Sequence, residues 1–208
     1  MTATRAYLAR GRRGRSETTR RRIVAAVREL LAEGSFHEST VEQVADRVGI
    51  ARATLYQHFD SRLALVDAIC DTFAENPALL ALRESVQLDD PDRALRETIA
   101  NAVRFWSSEQ AILGQLYGVA AIDQSARELV ERQRTDRRGE LGRLARRLRR
   151  ARRLRAGLTE RRALARLMTL TSFETFQELR AEGLSERDIS STLREMAETL
   201  LLADESDA

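Results

Sequence analysis

In the stretch 40–59, TVEQVADRVGIARATLYQHF, arginine, threonine, tyrosine, glutamine and histidine alternate with apolar residues at helical spacing. Polar side chains of this kind, exposed on a short helix, can hydrogen-bond to base edges and to phosphates of DNA. Other chemistry is excluded. His58 has only His37 as a second histidine, and neither a cysteine nor a carboxylate cluster at ligand spacing accompanies it. It therefore reads neither as a metal ligand nor as a catalytic base. Cys70 is the single cysteine, which rules out an internal disulfide and reads as a small buried hydrophobe. No phosphate-binding glycine loop and no Ser-His-Asp set occurs, so neither a cofactor nor enzymatic activity is expected.

Those polar residues need two helices and a tight turn to present them. Thr40 and Gln43 fit a capping box that opens the first helix, with Val41, Val44 and Val48 facing inward. Ala45 is small where two helices must approach closely. Gly49 follows four residues later, where the turn needs a left-handed backbone. Leu55 comes six residues after that and, with Ile50, plugs the core. This spacing suits a helix-turn-helix. A supporting helix precedes it over Thr18–Glu33, with Ile23, Val24, Val27, Leu30 and Leu31 as one apolar stripe and Gly34 as its stop.

The run TLYQHF, with Ser61-Arg62 after it and the segment AAVRELLAEGSFHESTVEQVADRVGI before it, closely resembles the DNA-binding domain of the tetracycline-repressor (TetR) family. The resemblance covers about residues 19–75. It implies that Tyr56 and His58 bond backbone phosphates, that Thr40 meets a phosphate through its amide or hydroxyl, and that Arg62, standing for the usual lysine, supplies a cation to another. It also implies that Arg52, Ala53, Thr54 and Gln57 face the major groove. Arg52 can fork to guanine O6 and N7. Two departures stand out: Ala51 replaces the usual capping Ser or Thr, and Ala53 replaces a frequent glycine. For Tyr56, packing against the first helix is the competing reading.

The 208 residues are enough for a real core, and 43% hydrophobic with 32% charged residues describes a globular chain. Two prolines make long helices easy. The expected fold is all-α: an N-terminal three-helix helix-turn-helix domain and a C-terminal helical ligand-binding and dimerisation domain. The boundaries read as a flexible basic arm over 1–17, the DNA-binding domain over 18–64, and the regulatory and dimerisation domain over 65–208. No apolar run is long enough to span a membrane, and the arginine-rich start lacks the apolar stretch of a secretory signal, so a cytoplasmic location is expected.

Past Cys70 and Phe73, Asn76-Pro77 reads as a break, and residues 77–90 as an apolar turn and acidic loop forming a hinge. Asp90-Pro91 then opens a helix to about Ser107, followed by a helix from about Glu109 to Ala121. A basic rod runs from Ser125 to Arg155. Residues 127–166 hold sixteen arginines against five acids, while residues 182–208 hold eight acids against two arginines. Pairing between these segments is the favoured reading of the arginines, with anion or nucleic-acid contact as the other. One helix from Thr159 to Gly183 and another from Ser185 complete the chain.

By resemblance, these last helices pair with a second copy as a four-helix bundle, and Trp106, Tyr117 and Phe173 line the site of an unknown small-molecule effector. For each aromatic, ordinary core packing competes. The chain thus reads as a sequence-specific DNA-binding transcriptional regulator, in the repressor sense. A homodimer on near-palindromic double-stranded DNA would be released by a small molecule, with no membrane involved. The alternatives are a nonspecific architectural DNA-binding protein and a helical enzyme or carrier.

Overall fold

A computed structural model describes residues 2–36 and 38–203; Met1, His37 and residues 204–208 lie outside it, as do the side chains of residues 2–15 and of Ser125. Among the described residues there are eleven α-helices and no strand, with a single isolated bridge between Leu154 and Leu202. The all-α expectation holds. The contacts divide the chain into two units. One comprises Met1–Thr72 with Ala111–Glu128, and the other Phe73–Gln110 with Leu129–Ala208.

The first unit starts with α1 (Thr2–Ala32). The backbone of 2–17, expected as a flexible arm, is helical and continuous with it. Arginine and alanine are strong helix formers and no proline interrupts them, so isolated glycines do not break the run. Ile23, Val27, Leu30 and Leu31 form the buried stripe, and Gly34 stops the chain in the left-handed region at φ 74°. Then come α2 (Val41–Val48), α3 (Arg52–His58) and α4 (Arg62–Thr72). Val44, Ala45, Val48, Leu55, Phe59, Leu65 and Ile69 close the core among them. Arg28 Nη1 donates to Thr72 Oγ1 at 3.2 Å and ties α1 to α4. Most of α7 (Gln110–Ala120) belongs to this unit, with Leu116 buried.

The second unit contains α5 (Pro77–Ser85), α6 (Pro91–Ser108), most of α8 (Gln124–Arg150), α9 (Glu160–Leu170), α10 (Phe173–Ala181) and α11 (Glu186–Leu201). Three expectations are corrected. Residues 77–85 are a helix rather than a turn, because Asn76 caps it through Ala78 N–H and Pro77 occupies the first turn. The helix expected from Thr159 to Gly183 is two helices. Ser172 starts the second by accepting from Thr175 N–H. The basic rod ends at Arg150, before Gly157, with Arg152 in the left-handed region at φ 56° and Arg153 N–H donating back to Leu148 O at 2.9 Å.

The central helix of this unit is α6. Its Ala94, Leu95, Thr98 and Ile99 have no exposed surface, and α5, α10 and α11 all pack against it. Among the described residues no helix is long and apolar enough to cross a membrane.

Candidate nucleic-acid interface

The site is built on α2, the turn 49–51 and α3. Thr40 caps α2 reciprocally: its hydroxyl accepts from Gln43 N–H at 3.2 Å, while its own N–H donates to Gln43 Oε1 at 2.7 Å. Its amide is therefore engaged, and its hydroxyl also helps to lower the Glu42 carboxyl. Gly49 ends α2 at φ 71° and turns the chain. Ala51 sits at the N-cap of α3 with no side-chain bond to the helix amides, as its side chain dictates.

On α3, Leu55 is 1% exposed, and Phe59 just beyond is 2% exposed. They fix the helix against the core. On the opposite face Arg52, Ala53, Tyr56 and Gln57 are exposed, with Thr54 and His58 partly so. Tyr56 is 41% exposed, so it does not pack into the first helix as its competing reading had it. Arg52 bridges to Glu42 Oε1 of α2 at 2.5 Å, and its guanidinium lies 5.3 Å from the Tyr56 ring centre. Contact with Tyr56, then the Glu42 charge, raises the Arg52 pKa above its ordinary value. The Glu42 carboxyl is lowered, first by its own backbone N–H and then by Arg52.

Three arginines brace this platform from below. Arg22 Nη2 donates to Val48 O at 2.6 Å at the end of α2. Arg20 Nη1 reaches His58 O at 3.4 Å at the end of α3, and its guanidinium sits 4.4 Å over the Phe59 ring. Both residues lie well inside α1, away from its first turn. Arg62 is the third brace. It donates Nη1 to Ser39 O at 2.6 Å and Nη2 to Phe36 O, and lies 4.3 Å over the Phe36 ring. Its fork thus holds the turn that leads into Thr40, a task different from the phosphate contact expected of it.

The side chains expected at a ligand site divide. Trp106 and Phe173 stand 5.6 Å apart in an aromatic row with Phe105 and Phe176 in the second unit. Trp106 Nε1 donates to Thr171 O at 3.0 Å, and Phe173 is fully buried. Tyr117 is partly buried and belongs to the first unit. Sequence reasoning missed Asn101 on α6, whose buried Oδ1 has no hydrogen-bond partner. It also missed Glu42, whose place one residue after Val41 in the first turn of α2 was a usable signal.

Residues 13–69 match the family of bacterial regulatory proteins described as the tetR family. This N-terminal segment therefore carries the TetR-family domain. A 72-residue stretch of the chain is 36% identical to the HTH-type transcriptional regulator UidR of Escherichia coli, spanning 35% of the chain and 36% of UidR. The match thus covers about a third of that relative. The fold is shared much further. NalD, described as the secondary repressor of the MexAB-OprM multidrug efflux pump in Pseudomonas aeruginosa, superposes with a TM-score of 0.69 at 24% identity over 91% of this chain and 98% of its own. The SmeT–triclosan complex does so at 0.71 with 19% identity, covering 90% and 93%. The all-helical fold of this chain, its second unit included, is therefore shared with these two proteins.

Proposed function

We propose that this chain is a sequence-specific DNA-binding transcriptional regulator acting as a homodimer, and that a small molecule bound in its helical body lowers its affinity for DNA. The observation that carries this reading is the two-faced α3. Leu55 and Phe59 lock it to the core, while Arg52, Tyr56 and Gln57 stand in solvent beside it. In this reading Arg52, Ala53, Thr54 and Gln57 meet base edges, and Tyr56, His58 and the Thr40 hydroxyl meet phosphates. Arg62 supports them without touching DNA. Two copies of α3 would enter successive major grooves of a near-palindromic site about one helical turn apart.

For the dimer, Met196 on α11 is 42% exposed although it lies on an amphipathic helix, which supports pairing of that helix with a second copy. For the effector, support comes from Asn101, an unpaired buried acceptor on the same helix as Trp106, and from the triclosan held by SmeT. NalD, a repressor, favours the repressor sense.

The test is to select bound sites from random DNA and compare affinity for the selected site with affinity for random DNA at physiological salt. A regulator should favour its site by about a thousandfold or more. A ratio near one would instead favour an architectural protein that binds through its arginines alone. Small molecules are then screened for release of the selected site.

A further inference from the structure

The first unit contains a cavity of about 120 Å³ walled by Leu31, Phe36, Leu63, Val66, Leu116 and Val119. All its lining residues belong to the unit that carries α3, whereas the aromatic row of α6 and α10 belongs to the other unit. An enclosed apolar cavity of roughly 150 Å³ takes up benzene; this one is smaller but partly open, so a single ring or a short branched chain can enter it with its polar end at the mouth. Arg62 also lines it. That guanidinium is partly buried, desolvation pulls its pKa down, and its described partners are two carbonyl oxygens and the Phe36 ring, with no carboxylate. A partly buried cation without a counter-ion attracts an anion, and a planar fork suits a carboxylate best. The other charged group in the lining, Asp123, accepts from Ala126 N–H at 2.8 Å as the cap of α8.

We infer that this cavity binds a small apolar carboxylate, whose ring or chain fills the space between α1, α4 and α7 while its carboxylate takes the Arg62 fork. The consequence follows from what the fork now holds. Carboxylate binding competes with Ser39 O and Phe36 O, the two carbonyls that fix the turn before the Thr40 cap. Freeing that turn loosens the start of α2, and so the platform under α3. The site is a second route of control within the regulator reading and rests on that reading only for its effect on DNA.

The probe is benzoate, with benzyl alcohol as the neutral comparison and sodium chloride at matched ionic strength as the blank, titrated calorimetrically into the full chain. Benzoate should bind at least tenfold more tightly than benzyl alcohol. Val66→Phe, which fills the cavity and leaves Arg62 in place, should abolish benzoate binding while the protein keeps its melting temperature and its affinity for a selected DNA site. Arg62→Gln should equalise the two probes. Benzoate should weaken DNA binding several-fold in the wild type and not in Val66→Phe. No benzoate binding, equal binding by Val66→Phe, or equal affinity for benzyl alcohol would each overturn the site. Benzoate binding in a chain that shows no DNA sequence preference would leave the site standing and sink the regulator reading instead.

Discussion

Arg52 is the side chain on which sequence reading would turn, and its surroundings prepare it. Glu42 holds the guanidinium at 2.5 Å from the neighbouring helix, and the Tyr56 ring lies beneath it. Both partners are well exposed, so this ion pair contributes little to stability and can yield to a base edge at small cost. Replacing Arg52 with alanine should therefore leave the melting temperature nearly unchanged. It should remove about 1–3 kcal/mol of discrimination at one guanine of the selected site. Binding to random DNA should hardly change, and an unaltered preference would end the role given to Arg52. Beside it, Ala51 leaves the first amides of α3 without a side-chain acceptor. Ala51→Ser should add a cap of about 1 kcal/mol. A lower melting temperature for that variant would show that the turn cannot seat the hydroxyl.

At the scale of elements, a chain without lysine uses arginine forks to close helix ends. The last carbonyls of a helix lack intrahelical donors and carry partial negative charge, so a guanidinium there satisfies both needs. Arg22 does this for α2, Arg20 for α3, Arg147 for the turn after α5, Arg137 at Thr171 after α9, and Arg155 and Arg166 for α11. Among the described residues, Arg155 and Arg166 of the basic segment meet the acidic one at backbone carbonyls of α11. That arrangement was illegible in the sequence because the partners lie tens of residues apart. Local signals read well by contrast, since Thr40, Asp90, Thr159 and Ser185 cap helices through their own next few amides. Asn76-Pro77 is the same cap-then-proline pair as Asp90-Pro91, and it opens α5 as that pair opens α6. The end of α8 adds a prediction. Arg152 occupies the left-handed region that a glycine takes without strain. Arg152→Gly should raise stability by about 0.5–1 kcal/mol, the relief of strain exceeding the added freedom of the unfolded chain. Arg152→Val should lower it, and equal melting temperatures for both would contradict the account.

Across the whole molecule, carboxylates placed as caps and clamps make folding depend on pH in one direction. Four of them titrate below their ordinary values. Glu33 is lowered chiefly by its bond from Arg47, and Glu42 by its own backbone N–H. Asp90 is lowered by the amides of Arg93 and Asp92, and Asp188 by Ser185. Glu33, Asp90 and Asp188 are exposed and Glu42 is partly so, so each effect is small, but all four act with the same sign. A carboxyl with a folded pKa below its unfolded one binds protons less readily when folded, so its stabilisation is present above the ordinary carboxylate range and lost as pH falls through the folded value. Melting temperature should therefore be flat from about pH 7 to about pH 5 and drop below that. As the 32 carboxylates protonate, the uncompensated charge of 35 arginines would push the same way, so a control is needed to separate the two. Asp90→Asn supplies it: asparagine caps a helix about as well as aspartate but does not titrate. The double variant Asp90→Asn, Asp188→Asn should lose less stability than the wild type over the same acid range, although its net charge is more positive at neutral pH. Parallel melting curves for the two proteins would assign the acid sensitivity to charge repulsion and remove the caps from the explanation.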